Sequence, residues 1–332
     1  MTTRIAILHG AGFVGGELVR LLLAHPHVEI ASVTSRTFAG QPVATAHPSI
    51  RGVTDIAFSD APGDAFDAAF VCAEHGAGAR SVQSLRAAGF DGFIVDLSAD
   101  HRLADAALYP AWYGFEHPAP QSLASAVYGL ADVFPDRLPG ARLVANPGCF
   151  ATGLSLALWP LVGLLGTFEA SVTALTGASG SGATPSATTH FPTRDGNVRA
   201  YKVLGHQHLA EVGQTLGPDA TVHFVPSSGP WTRGIWGTAH VALPAGVSEP
   251  DVAAAFESAF ADRPLVRLTR GALPELLPTV GTPFGDVGWV VKGDHLVVGF
   301  ALENLVKGAA GQAEQNLNLA LGDPETAGLL PR

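Results

Sequence analysis

Residues 4–26 read RIAILHGAGFVGGELVRLLLAHP. The stretch opens on a short apolar run, RIAIL (4–8), passes through GAGFVG (10–15), and continues as ELVRLLLAHP, which has helical spacing. The order is strand, glycine turn, helix. Gly10, Gly12 and Gly15 stand in the G-x-G-x-x-G spacing, with Phe13 and Val14 between the last two. The first glycine permits the turn, the second lets backbone approach a pyrophosphate, and the third lets the helix pack close. The helix N-terminus then turns its partial positive charge toward the phosphates. A glycine turn without a ligand is the bland alternative. The strand before it and the helix after it favour a bound dinucleotide.

Further along, Val28–Val33 is again strand-like and ends at Thr34-Ser35-Arg36. An acidic residue at that point would hold the ribose 2′-hydroxyl of NAD; a hydroxyl and a guanidinium, Ser35 and Arg36, suit the 2′-phosphate of NADP instead. A solvated loop arginine is the competing reading. Apolar runs at Ala68–Cys72 and Phe93–Leu97 alternate with helical stretches such as Arg80–Ala88, and residues 141–145 (ARLVA) read as one more strand. This alternation predicts a Rossmann-type, doubly wound parallel sheet. After Cys149 the pattern changes. A helix runs through Leu158, a strand lies near Ser171–Leu175, a Gly/Ser-rich turn occupies 177–182, and a polar loop continues to Ala200. Thr221–Val225 and Gly237–Leu243 alternate as antiparallel strands do. The expected architecture is α/β: residues 1–148 form a NADP-binding Rossmann domain, and residues 149–303 form a catalytic α+β domain with a mixed or antiparallel sheet. A C-terminal helix, 304–332, packs back on the first domain.

With 332 residues, nearly half of them apolar, the chain can bury two cores. Its formal net charge of -10 gives no electrostatic reason to bind nucleic acid or an anionic membrane. The longest apolar stretch, Leu154–Leu165, contains Pro160 and is too short to span a bilayer. No signal-peptide pattern precedes the first strand, and two cysteines make no disulfide framework. The expectation is a cytoplasmic protein.

Cys72 ends an apolar strand and reads as a packing residue. Cys149 follows Asn146-Pro147-Gly148 and opens a helix. There a thiolate is stabilised by the helix dipole and free N–H groups, and the same N–H groups can hold an oxyanion. In YKVLGHQHLAEV (201–212), His206 and His208 form a His-x-His pair, and Glu211 stands three residues after His208. If the segment is helical, Glu211 shares a face with His208 and can orient it as a general acid/base. A metal pair lacks further ligands, so no metal is expected. Arg102 and Arg233 are candidates to grip phosphate or carboxylate, because an arginine fork matches two oxygens. Ser179 and Gly180, in GASGSG, can present backbone N–H groups to substrate or nicotinamide.

These segments, with VDLSADHRL, VYGL, ANPGCFATG, GASGSGATPSATTHF and ENLVKGAAGQAEQNLN, make the chain resemble the N-acetyl-gamma-glutamyl-phosphate reductases of arginine biosynthesis, within the semialdehyde dehydrogenase superfamily. The resemblance runs nearly end to end. It implies a small acyl-phosphate substrate, Cys149 as nucleophile, a thioester, and hydride from NADPH. It also implies His208 as acid/base with His206 the close second, Asn146 in the substrate-binding set, and a homodimer or homotetramer. Phe150 stands where many members have tyrosine, Gln207 where many have arginine, and Ala131-Asp132 where Pro-Glu is common. These departures leave open N-succinyl, aminoadipyl (lysine-pathway) and carrier-linked substrates. Aspartate-semialdehyde dehydrogenase is the nearest other enzyme, and a non-catalytic NADP-binding redox sensor is the reading from another class.

Overall fold

The computed structural model describes residues 2–63 and 65–330; residues 331 and 332 of the expected C-terminal segment lie outside the described residues. The chain divides into two compact units. One runs to Pro147 and takes up the chain again from Ala309; the other is Gly148–Gly308.

The first unit holds a seven-stranded parallel sheet. Its strands are β1 (Thr3–Leu8), β2 (Val28–Thr34), β3 (Phe58–Ser59), β4 (Ala68–Val71), β5 (Phe93–Asp96), β6 (Ala126–Tyr128) and β7 (Leu143–Ala145), in the order β3-β2-β1-β4-β5-β7-β6. The reversal of order beside β1 puts the turn after that strand at a topological switch point, where open α/β sheets bind ligands. Ile5, Ala6 and Ile7 are fully buried, as expected for a central strand covered on both faces. Helices α1 (Phe13–Leu22) and α2 (Gly78–Ala87) follow β1 and β4, and a short α3 (Tyr109–Tyr113) follows β5.

The second unit starts with α4 (Cys149–Leu165). Its residues from Phe150 to Leu158 are all buried, and it packs against several strands of a second sheet. The long apolar run is therefore a core helix. Among the described residues, no helix is long and apolar enough to cross a membrane. The remaining elements are β8 (Phe168–Thr176), α5 (Phe191–Arg194), β9 (Arg199–Ala200), α6 (His208–Leu216), β10 (Ala220–Ser228), β11 (Ile235–Ala242), α7 (Glu249–Phe260), β12 (Val266–Arg270), β13 (Gly285–Lys292) and β14 (His295–Leu302). The sheet is mixed, in the order β12-β13-β14-β11-β8-β10-β9. Along β8, Phe168, Ala170, Val172, Ala174 and Thr176 are buried while the alternate side chains are more open, the period of a half-covered sheet. β10 and β11 are not neighbours: β8 lies between them, parallel to β10 and antiparallel to β11. α7 covers the far end of the sheet, where Phe256 stacks on the fully buried Trp289 with ring centroids 4.8 Å apart.

The C-terminal helix begins later than its spacing suggests. A π-helical turn, Val306–Ala310, comes first, and α8 (Gly311–Leu321) follows. α8 lies in the first unit beside α1 and β5. Its polar residues are buried; several are bonded, while both carboxylate oxygens of Glu314 have no hydrogen-bond partner among the described residues. Gln315 donates to Asp132 Oδ1 at 3.0 Å, and Asn318 Nδ2 donates to the Ala327 carbonyl at 2.8 Å. Such satisfied polar contacts fix one orientation of a helix that has no apolar stripe to do so.

Candidate active site

The glycine turn is shaped by two close approaches and one open position. Side chains at Gly10 and Gly15 would collide, the first with Val33, the second with the backbone of Gly10. Gly12, the N-cap of α1, faces open space and has no neighbour within 4 Å of where a Cβ would stand. Close packing beneath and open space above are what a pyrophosphate at a helix N-terminus needs. Phe13 begins the helix with its ring 44% exposed, and Val14 follows half-buried. His47, which the motif does not reveal, supports the turn: its Nε2 bonds the Gly10 carbonyl at 2.8 Å, and its ring packs against Gly16. At the end of β2, the Ser35 N–H donates to Ser59 O at 2.8 Å. Arg36 is exposed and makes no hydrogen bond or ion pair among the described residues. It lies near His9, whose pKa is held below its usual value by burial first and by the Arg36 charge second.

Cys149 is the first residue of α4 and is half-buried. The first-turn N–H groups of a helix have no intrahelical partner, so the start of α4 offers donors beside Cys149. α6 packs beside α4 and brings the histidines and glutamate to that point. Glu211 is fully buried, and its Oε2 accepts the N–H of Gly148 at 2.9 Å. His208 Nε2 stands 3.9 Å from Glu211 Oε1, a distance of charge pairing rather than of hydrogen bonding. The direct His208–Glu211 bond expected from the three-residue spacing is thus replaced: the carboxylate fixes the backbone ahead of Cys149 and faces the imidazole electrostatically. His208 packs so closely on Gly148 that a side chain there would strike its ring. On the other side, a Cβ at Gly308 would stand 2.7 Å from Cys149 Cβ.

His206 precedes α6 and has another environment. Its ring meets Phe150 at 5.4 Å, Tyr201 at 5.8 Å and Phe224 at 5.8 Å, and its Nδ1 accepts the N–H of His208 at 3.2 Å. Burial, with Lys202 adding to it, lowers its pKa to about 4. A histidine that folds neutral takes up fewer protons than its unfolded form between about pH 4 and 6.5, so stability rises with pH through that window. The expected loss on going from pH 8 to pH 5 is about 2 kcal/mol from this group. Urea denaturation of the wild type and of His206→Gln at both pH values measures it; an equal pH dependence in the two proteins would contradict the assignment. Cys72 is also shielded: burial pushes its thiol up to about 12.

The other residues singled out in the sequence have specific partners. Arg102 is buried, donating from Nε to the Asn146 carbonyl at 2.8 Å and from a terminal nitrogen to Leu97 O at 3.0 Å. Asn146 uses its amide on Ala309 O and on Asn316, both at 3.1 Å. These two residues tie the ends of β5 and β7 to each other and to the start of α8. Arg233 faces the fully buried Glu303 at 3.4 Å. Ser179 is held by Asn304, whose Nδ2 donates to Ser179 Oγ at 2.9 Å and whose Oδ1 accepts the Gly234 N–H at 2.6 Å. Gly180 follows in the same turn. Glu303 Oε2 takes the N–H groups of Leu305 and Val306, both at 2.5 Å, and its carbonyl takes that of Gly308. Glu303 and Asn304 are organisers that the sequence reading leaves without a role, although they open the quoted ENLVKGAAGQA segment. Among the described residues, no group of three or more His, Cys, Asp or Glu is placed to hold a metal ion.

Residues 4–141 match the family model described as the NAD binding domain of semialdehyde dehydrogenase, and residues 149–304 match its dimerisation domain. The chain belongs to the semialdehyde dehydrogenase family. It is 39% identical over 335 residues to the LysW-L-2-aminoadipate 6-phosphate reductase of Deinococcus radiodurans, covering 98% of this chain and 96% of that protein. It is likewise 39% identical over 337 residues to the N-acetyl-gamma-glutamyl-phosphate reductase of Methanococcus maripaludis, covering 98% of this chain and 97% of that one. Among solved structures it is similar in fold to aspartate semialdehyde dehydrogenase II from Vibrio cholerae. That match has a TM-score of 0.72 at 17% identity and covers 97% of this chain and 99% of the other. The Candida albicans aspartate semialdehyde dehydrogenase with NADP matches with a TM-score of 0.69 at 17% identity, covering 96% and 98%.

Proposed function

We propose that this protein is an NADPH-dependent reductase of an acyl phosphate, with Cys149 as its nucleophile and N-acetyl-gamma-glutamyl phosphate as its substrate, in arginine biosynthesis. The observation that carries the reading is the convergence of Cys149, His208 and Glu211 on Gly148 at the start of α4. The sulfur attacks the acyl carbon, the carbon–oxygen bond to phosphate breaks, and phosphate leaves with the electron pair. The first-turn N–H groups of α4 hold the oxyanion that forms on the carbonyl oxygen. When bound, NADPH supplies the hydride that reduces the thioester. His208, through the Nε2 atom packed on Gly148, gives the oxygen its proton and takes it back as the carbon–sulfur bond of the thiohemiacetal breaks, releasing aldehyde and thiolate. Glu211 is a positioning residue: it fixes the Gly148 N–H and so the direction of the first turn. In this reading the unit built on the parallel sheet carries the dinucleotide at Gly10, Gly12 and Gly15, and Gly148–Gly308 carries the acyl chemistry. The description of the second model as a dimerisation domain supports a homodimer or homotetramer.

A second substrate, carrier-linked aminoadipyl phosphate, is supported by one observation: relatives of both names are equally similar to this chain. Phosphate-dependent reduction of NADP, assayed with N-acetylglutamate semialdehyde, its N-succinyl counterpart, carrier-linked aminoadipate semialdehyde and aspartate semialdehyde, tests the reading. N-acetylglutamate semialdehyde is expected to give the highest kcat/KM. No phosphate-dependent reaction with any of them would overturn it.

The choice of NADP rests on Arg36, exposed and without a partner among the described residues at the end of β2. Arg36→Asp replaces a charge-assisted bond with repulsion, and NADPH affinity is expected to fall roughly 100-fold while NADH affinity changes little. Fluorescence titration with both cofactors measures this; an unchanged preference would refute it.

A further inference from the structure

The candidate cations for an anionic substrate are largely taken. Arg233 faces Glu303, and Arg102 is bonded to two carbonyl oxygens. In the same unit, Arg267 is paired with Asp286 and Arg270 with Glu257. Arg194, at the end of α5, is different. Its side chain is nine-tenths buried, yet among the described residues no carboxylate pairs with it. One terminal nitrogen donates to the carbonyl of Thr176 at 3.0 Å, while its buried Nε has no hydrogen-bond partner. The hydroxyl of Thr176 is also buried without a partner, at the same end of β8. Gly180 leaves room over that hydroxyl: a Cβ there would stand 3.3 Å from it. A guanidinium with an unsatisfied Nε and no carboxylate, beside an unsatisfied hydroxyl, is costly when buried unless an anion completes it.

Tyr201 links the place to the reacting sulfur. β9 pairs with the end of β10, which runs alongside β8, and Tyr201 follows directly. Burial raises the pKa of the Tyr201 hydroxyl, the Cys149 charge adds to that, and Arg194 and Arg199 oppose it. Arg199 is exposed and, like Arg194, has no carboxylate partner among the described residues. The Tyr201 ring also meets His206, which meets Phe150 beside Cys149. Burial lowers the pKa of Arg194, Tyr201 opposes the shift, and the charge of Arg199 reinforces it; an incoming anion would relieve both penalties.

We infer that Arg194, with the Thr176 hydroxyl and Arg199 beside it, forms the subsite that receives an oxyanion of the substrate, its carboxylate or its phosphoryl group. The inference rests on the reading of Cys149 as acyl acceptor. An arginine suits both sources, since its fork matches the oxygens of either.

The test uses alkylation of Cys149 by iodoacetamide, followed by peptide mass, with inorganic phosphate and N-acetylglutamate as separate probes. At least one is expected to protect Cys149 in the wild type, and the protecting concentration is expected to rise about 10- to 100-fold in Arg194→Gln. Protection by phosphate identifies the phosphoryl group as the source, and protection by N-acetylglutamate alone identifies the carboxylate. The KM of the matching reactant in the semialdehyde-oxidising direction should rise in parallel, with kcat changed less. Arg194→Lys, which keeps the charge and loses the fork, should fall between. If Arg194→Gln does not fold, the lysine variant carries the test alone. No protection by either probe, or protection unchanged in the variants, overturns the inference. A wild type without reductase activity would sink the proposed function, while the alkylation assay would still judge the subsite.

Discussion

Cys149→Ser is expected to lower turnover by roughly 10⁴-fold or more while leaving NADPH affinity unchanged. The loss is large because a serine hydroxyl is almost never ionised at neutral pH, whereas a thiol at a helix N-terminus is readily converted to thiolate. Affinity is preserved because the glycine turn and Cys149 belong to different units of the chain. Cys72→Ser is the control. Its thiol is held at about 12 by burial, so it offers no nucleophile at working pH, and most activity should survive. Steady-state kinetics with equilibrium cofactor titration checks both. Comparable turnover in Cys149→Ser would remove the thioester from the mechanism, and an essential Cys72 would reverse the two assignments.

The second large effect is expected at His208. Loss of a general acid or base costs roughly 10²- to 10⁴-fold in rate, and His208→Asn should fall in that range with little change in substrate affinity. The structure separates the two histidines in a way that favours this choice. His206 is enclosed by Phe150, Tyr201 and Phe224, and its pKa near 4 keeps it neutral at working pH. His208 instead stands 3.9 Å from the buried carboxylate of Glu211, with its Nε2 against Gly148 just ahead of Cys149. The pH–rate limb of the acid/base step is therefore expected to vanish in His208→Asn and to persist in His206→Asn. The reverse result would exchange their roles.

Local motifs were legible because their chemistry is local. The G-x-G-x-x-G turn needs its glycines for contacts within a few residues, and Gly15 against Gly10 is one of them. A cysteine that opens a helix after Gly148 is equally readable, since helix termini follow from short-range geometry. What spacing could not supply were pairings across the chain. Glu211 bonds the Gly148 N–H over 63 residues, and His47 bonds the Gly10 carbonyl over 37. Spacing suggested a hydrogen bond from Glu211 to its helical neighbour; the backbone donor brought by α4 took the carboxylate instead. Arg102 and Asn146 show the same limit. Both look like substrate ligands in a motif, and both are occupied with carbonyls or amides that only folding brings near. Arg194 shows it in the opposite sense: it sits in a polar loop that reads as surface, and only its burial without an acid marks it out. The β13–β14 hairpin, by contrast, had a local signal that a motif-led reading passes over, two apolar runs joined by Gly293-Asp294.

The most direct test of the central claim is a reaction of the full-length protein with N-acetyl-gamma-glutamyl phosphate in the absence of NADPH. Released phosphate and the mass of the protein are measured together. The thioester mechanism predicts one phosphate and one N-acetylglutamyl group per chain, with the added mass on the peptide containing Cys149, and its discharge as aldehyde when NADPH is added. Phosphate release only in the presence of NADPH, or an acyl group on any other residue, would contradict it.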